Sequence, residues 1–228
     1  MSSGPRDDWK PAALPADPDA VRQLRDWLDG YDLYGVGHDF RGADLSGGDF
    51  YSAWLYDAIL VGVRLVGASF HRAHLRSADL TGADLTGADL VKADFDEAVL
   101  RSARLDGADM VGASLYDVDA RGASFRGTRF LGASLCGVDM RGADLTDAVL
   151  QGNTFKVTVD DATVVRGLTG TVFGPITVVA DGTSRKLAGA ELEAWIGARG
   201  GQVEVIPSCR GGREGGSDPP GGSRGISA

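Results

Sequence analysis

Cysteine is nearly missing from this 228-residue chain. Cys136 and Cys209 are too few to staple a small disulfide scaffold, and they lack the paired spacing of a zinc site. No stretch of 18 consecutive apolar residues occurs, and Met1 to Lys10 carries no basic segment followed by an apolar one. The expectation is a chain that is not exported, makes no membrane contact and sits in the reducing cytoplasm. Bases are also in deficit: 23 Lys and Arg stand against 32 Asp and Glu, a net charge of −9, which excludes a generic nucleic-acid binder. Missing as well are a Gly-x-Ser-x-Gly elbow and a phosphate-binding Walker loop.

Glycine, by contrast, is abundant: 34 residues, about twice the usual share of ~7%. The cause is a repeat. From Phe40 to Phe155 every fifth residue is large and apolar, 24 positions holding 14 Leu, 7 Phe, 2 Met and the single small residue Ala120. Leu80, Leu85, Leu90, Phe95 and Leu100 are a representative run. Two residues before each lies a second lane that is Ala at 17 of the 24 positions, for example Ala78, Ala83 and Ala88. Two residues after each, Gly occupies 14 of 24 positions.

A period of five fits neither the 3.6 of a helix nor the 2.0 of a strand. It fits a narrow all-β solenoid in which each pentad is one side of a coil. The large residue and the small one before it point inward, since two large inward lanes would overpack a thin tube. Glycine serves the turn between sides. Leu80, Leu85, Leu90, Phe95, Leu100, Ala78, Ala83 and Ala88 are therefore the expected core.

Segments such as Ala78-Asp79-Leu80-Thr81-Gly82 and Ala83-Asp84-Leu85-Thr86-Gly87 resemble the A(D/N)LXX unit of pentapeptide-repeat proteins. The resemblance covers residues 38–157. It implies a right-handed quadrilateral β-helix with four pentads per coil, hence about six coils and a rod of roughly 29 Å at ~4.8 Å per coil. It also implies a binding role: some members protect bacterial DNA gyrase from quinolones or peptide toxins by imitating duplex DNA, and are dimers through their C-terminal ends. DNA gyrase is thus one candidate partner, and a homodimer through the C-terminal segment one candidate assembly.

At four pentads per coil, residues 20 apart stack. One outer ladder is basic, Arg41, Arg101, Arg121 and Arg141, interrupted by Val61 and Thr81; the position two earlier reads Asp39, Ile59, Asp79, Val99, Asp119 and Asp139, so a carboxylate flanks most of the guanidiniums and the face reads as charge-compensated and solvated. A second ladder, Tyr51, His71, Val91, Val111 and Leu131, is outward yet mainly apolar. It is a candidate partner surface, or else a face covered by a terminal segment of the same chain. Asp79, Asp84 and Asp89 join it as candidates for a DNA-like acidic surface. A third ladder, Trp54, His74, Asp94, Ser114, Ser134 and Thr154, carries one acid. Over residues 38–166, 19 acids and 13 bases leave −6, and the many outward Arg residues dilute the field that DNA mimicry needs.

The ends depart from the repeat. Residues 1–16, polar and Pro-rich, are expected to be disordered. Residues 17–37 hold a capping helix, with Asp17 as N-cap, Pro18 at its first position, Val21, Leu24 and Leu28 on one face, Gly30 as its stop and Trp27 as plug for the tube. The β-helix proper is assigned to 38–166, with Val157, Val159, Ala162 and Val164 as a slipped half-coil. Residues 167–206 read as a strand–helix–strand cap: Ile176 to Ala180, a helical stretch from Leu187 to Arg199, and Gln202 to Ile206. From 207 to 228 the Gly/Ser/Pro-rich tail is expected to be disordered.

Nothing in this pattern gathers catalytic groups. His71 and His74 fall on adjacent sides of a coil, His38 lies in the small inward lane at the entry, and Cys136 is an outward thiol. No cofactor, no metal and no catalytic residue is expected, and the chain reads as a binding protein.

Overall fold

The computed structural model describes residues 9–29 and 31–206. The expected tails at 1–8 and 207–228, Cys209 and the helix stop Gly30 lie outside the described residues. From Leu33 onward the backbone winds into a right-handed quadrilateral β-helix in which residue i bridges residue i+20 in parallel, as in Tyr34 with Trp54, Asp39 with Ile59 and Asp79 with Val99. The 24 pentads from Phe40 to Phe155 supply six coils, and the winding begins one pentad earlier, with Leu33 and Gly35 in the two inward lanes.

Each side is short because the turn recurs every five residues. The amide of the small-lane residue typically donates to the carbonyl of the preceding large one, as Ala43 N to Phe40 O at 3.1 Å and Ala83 N to Leu80 O at 2.9 Å. The residue between them on the far side of the turn takes a positive φ, for example Gly42 at 81° and Gly82 at 65°, the pattern of a type II turn. Where glycine is lacking the chain still adopts it: Arg72, Lys92 and Glu97 have φ of 59°, 58° and 62°. Three hydrogen bonds per pentad then tie neighbouring coils, such as Leu60 N to Asp79 O, Gly62 N to Thr81 O and Ile59 N to His38 O.

The core is one continuous column. Leu80, Leu85, Leu90, Phe95, Leu100, Ala78, Ala83 and Ala88 are all buried. At the N-terminal end helix α1 (Pro18–Leu28) closes the tube, its Asp17 cap accepting from Asp19 N at 2.9 Å. Its buried face is Ala20, Leu24 and Trp27 rather than Val21, Leu24 and Leu28; Val21 and Leu28 flank it half-buried. Trp27 stacks on Phe50 at 4.8 Å, and Phe50 on Phe70 at 4.9 Å, so aromatic rings fill the open coil end. Gly48 leaves them room: a Cβ there would lie 2.6 Å from the Phe50 ring.

The expectation of disorder through residue 16 fails for residues 9–16. Ala13 bridges Asp44 antiparallel, the Trp9 indole donates to Ser46 O at 2.9 Å, and the Trp9 ring meets Trp27 edge-on at 5.3 Å. A Pro-rich composition concealed one indole that seals the first coil.

At the C-terminal end strands of 3 to 12 residues replace single bridges. Strands β1 (Arg129–Leu131) and β2 (Ser134–Asp139) pair in parallel with β3 (Val149–Asp160), which pairs with β4 (Thr169–Phe173) and β5 (Ile176–Ala180). The frame slips by one residue here: Asp139 pairs with Thr158, so Val157 and Val159 fill the inward lanes. It recovers at Thr163 and Val165, both buried; Ala162 and Val164 face solvent, contrary to the slipped frame expected of them. Strands β4 and β5 thus continue the winding beyond residue 166. The segment after Asp181-Gly182 is strand β6 (Thr183–Leu187), antiparallel to β5, a hairpin absent from the strand–helix–strand expectation. Helix α2 (Ala190–Gly197) is shorter than expected, since Leu187 belongs to β6. Strand β7 (Gln202–Ile206) then pairs in parallel with β4. No helix among the described residues is long and apolar enough to cross a membrane.

Candidate functional site

With the core filled, function falls to the four outer faces. The basic ladder neutralises itself. Arg41 pairs with Asp39, Arg141 with Asp139, and Asp119 lies between Arg101 and Arg121, accepting from Arg121 Nε at 2.8 Å and Arg101 Nε at 2.7 Å. The Arg121 hydrogen bond holds the Asp119 carboxyl far below the usual carboxylate range, helped by Arg101 and opposed by partial burial. The hydrogen bond from Arg41 likewise lowers Asp39. This face is internally compensated, as its sequence suggests.

The apolar ladder is a real stripe. Tyr51, His71, Val91, Val111 and Leu131 follow successive large residues of one side, so the 20-residue register stacks them along the rod. Tyr51 and His71 lie ring on ring at 5.7 Å, and the His71 Nδ1 is 3.8 Å from an Asp89 carboxylate oxygen. An aspartate two residues earlier fastens several members by accepting their backbone N–H: Asp49 from Tyr51 at 3.2 Å, Asp89 from Val91 at 3.0 Å and Asp109 from Val111 at 3.2 Å. Such Asx-type bonds explain why an acid stands in this lane irrespective of any partner. At one end the stripe borders a depression of about 490 Å³ lined by Gly47, Gly48, Asp49, Tyr51, Gly67, Ser69, His71 and Asp89. The described N-terminal segment runs to Asp44 and Ser46 on the neighbouring side.

The acidic candidates do not join into one surface. Asp79, Asp84 and Asp89 belong to three successive sides of a single coil, and only Asp89 adjoins the stripe. Asp79 and Asp84 hold their own turns, accepting the Thr81 hydroxyl at 2.6 Å and the Thr86 amide at 3.1 Å. Asp84 also lies 3.8 Å from Arg104.

His71 and His74 stand on adjacent sides, His71 against Tyr51 and His74 against Trp54 and Tyr56. No group of three or more His, Cys, Asp or Glu side chains among the described residues is placed to hold a metal ion. One feature went unread in the sequence: the third ladder begins with an aromatic cluster, Tyr34, Trp54, Tyr56 and His74. Extending the 20-residue ladder back to Tyr34, and reading the lane of Tyr56 beside it, finds it.

Comparison with known proteins comes out as follows. The family model for pentapeptide repeats matches in eight copies, over residues 60–90, 78–115 and 113–152. No curated protein matches the chain. Among solved structures, HetL, a pentapeptide repeat protein involved in heterocyst differentiation regulation in the cyanobacterium Nostoc sp. strain PCC 7120, is 23% identical over 66% of this chain and 81% of its own, with a TM-score of 0.48. The pentapeptide repeat protein Rfr23 of the cyanobacterium Cyanothece 51142 is 25% identical over 46% of this chain and 63% of its own, TM-score 0.37. QnrB1, a plasmid-mediated fluoroquinolone resistance protein, is 19% identical over 75% and 78%, TM-score 0.42.

Proposed function

We propose that this chain, whose residues 60–152 match the family model for pentapeptide repeats, is a non-catalytic scaffold that binds a protein partner, in the cytoplasm, through the stripe Tyr51, His71, Val91, Val111 and Leu131. The supporting observation is the contrast between two faces. The basic ladder spends its charges on itself, whereas the stripe leaves apolar and aromatic groups outward along five successive coils. Burying such a stripe in a partner releases water from each level of the ladder, at ~25 cal/mol per Å².

A photo-activatable residue at position 111, with position 81 as control on the basic face, tests this in cells. A partner adduct from 111 that vanishes with Leu131→Asp, and is missing from 81, supports the reading; equal adducts from both faces sink it.

DNA gyrase, with resistance to a quinolone or toxin as the outcome, is the second reading. Duplex mimicry calls for a continuous lane of uncompensated carboxylates, and Asp119 and Asp139 are each held by arginines, so we rank it below the stripe. Supercoiling by gyrase, titrated with the protein, decides it: inhibition or drug rescue at micromolar protein would move gyrase to first place.

A further inference from the structure

The side of the rod next to the stripe carries, at its N-terminal corner, a second surface of different chemistry. Tyr34, Trp54 and His74 occupy consecutive coils of one side, and their rings step along it with centroids 6.0 Å and 5.1 Å apart. Tyr56, two residues beyond Trp54, closes the group at 5.8 Å from Trp54 and 5.5 Å from His74. Tyr34 is 52% exposed, Trp54 41% and the adjoining Tyr31 69%. Grouped rings left in water mark a recognition surface rather than a core.

Charge says what they recognise. Where α1 meets the first coil, Gln23, Asp26, Tyr31, Asp32 and Tyr34 line a depression of about 660 Å³. It holds two carboxylates and two phenol rings and no base. Asp26 and Asp32 make no ion pair among the described residues, and Asp32 accepts only the Tyr34 hydroxyl, at 3.5 Å. Of the nearby cations, Arg22 pairs with Asp19 and Arg76 with Glu97, whereas Arg25, beside Asp26 on α1, does not line the depression. Past His74 the ladder continues into Asp94, its bridge partner.

We propose that this corner binds an arginine-bearing segment of a protein partner. The guanidinium enters the depression between Asp26 and Asp32 over the faces of Tyr31 and Tyr34, and a flanking apolar side chain lies on Trp54, Tyr56 and His74. Arginine suits it better than lysine, because a planar guanidinium stacks on rings and pairs with carboxylates bidentately. The surface adjoins the stripe but shares no residue with it, so substitutions in one test it without touching the other and either reading can fail alone.

The test uses the isotope-labelled full chain and two short acetylated, amidated peptides, Leu-Arg-Leu-Arg and Leu-Glu-Leu-Glu. Trp54→Phe assigns the Trp54 indole resonance among the four tryptophans. With the arginine peptide, the Trp54 indole and Tyr34 ring signals shift and saturate. The combined Asp26→Asn, Asp32→Asn variant weakens binding about three- to tenfold. A saturating response to the glutamate peptide of equal strength, no saturation up to millimolar arginine peptide, or unchanged affinity in the double variant would each overturn the proposal. So would concentration-dependent shifts of these signals without peptide, which assign the surface to a second copy of the chain. The peptide comparison runs on the unsubstituted protein and does not depend on how any variant folds.

Discussion

The side-chain oxygen of Asn153 accepts the backbone N–H of Gln151 at 2.6 Å, inside a lane where alanine is the rule. The same buried side chain donates to the carbonyls of Phe130 and Ala133. Thr128 and Thr163 repeat the reach in simpler form, their hydroxyls donating to Leu105 O at 2.6 Å and Met140 O at 3.1 Å. Each buried polar residue in the small lane therefore ties its turn to the coil beneath it, and a buried polar group bonded in this way adds stability.

Asn153→Ala, although it restores the commonest residue of the lane, is expected to lower stability by about 1–3 kcal/mol, because it removes the buried donor to the Phe130 and Ala133 carbonyls and the acceptor of the Gln151 N–H. Thr128→Val is milder, about 0.5–1.5 kcal/mol, since Leu105 O keeps the bond from Ala108 N at 3.0 Å. Urea unfolding of both variants checks the order. If Asn153→Ala is neutral or stabilising, the buried amide is not a structural tie.

Lys92 holds a φ of 58° at a turn position where glycine is the commonest residue. Its side chain is exposed and its amide bonds Val111 O at 2.9 Å, a bond any residue keeps. Lys92→Gly is expected to stabilise by about 0.4–1 kcal/mol through relief of left-handed strain, against the entropy that glycine adds to the unfolded chain. Gly82→Lys, at φ 65°, should move the thermal midpoint the other way. Two midpoints moving in the same direction would show that the turn strain is negligible.

These turns show what was legible in the sequence and what was not. The frame from Phe40 to Phe155 was open to inspection, because a side chain that must face inward every fifth residue leaves a period that nothing else imitates. The stripe followed from it only with the four pentads per coil that the resemblance to pentapeptide-repeat proteins implies. The ends were obscured for physical reasons. Trp9 seals the first coil through a single indole, which no periodicity announces. Around Val157 and Val159 the backbone drops one residue and regains it before Thr163, so alternating valines fit two frames equally well. Strand β6 is polar and exposed apart from Leu187, and only the Asp181-Gly182 turn before it hinted at a hairpin. Asp79, Asp84 and Asp89 looked like one acidic surface because they are neighbours in sequence; five residues in this fold mean a quarter turn, and they point three ways.

Asp119 gives the basic face a pH signature. Hydrogen bonds from Arg121 and Arg101 depress its folded-state pKa below the unfolded value near 3.9. Its contribution is therefore present above pH ~4 and is lost as pH falls through the folded value. Asp119→Asn is expected to lower the thermal midpoint by about 2–4 °C at pH 7, and the gap to narrow below pH ~3. A gap that stays constant down to pH 2 would mean that the arginines do not hold the carboxylate.

At the far end, strand β7 is the last strand of the sheet, and such an edge invites pairing with another chain. Glu193 of α2 blocks part of it, accepting the Val205 N–H at 2.8 Å, while Leu192 and Ile196 anchor the helix in the core. If this carboxylate guards the edge, Glu193→Ala should cost about 1–2 kcal/mol and, more tellingly, raise the apparent mass in light scattering as concentration increases. Glu193→Gln keeps an acceptor oxygen and should behave like the unsubstituted chain. A homodimer through the C-terminal segment predicts the opposite pattern, a concentration-dependent mass already in the unsubstituted protein and unchanged by Glu193→Ala. The two outcomes separate an edge that is closed from one that is used.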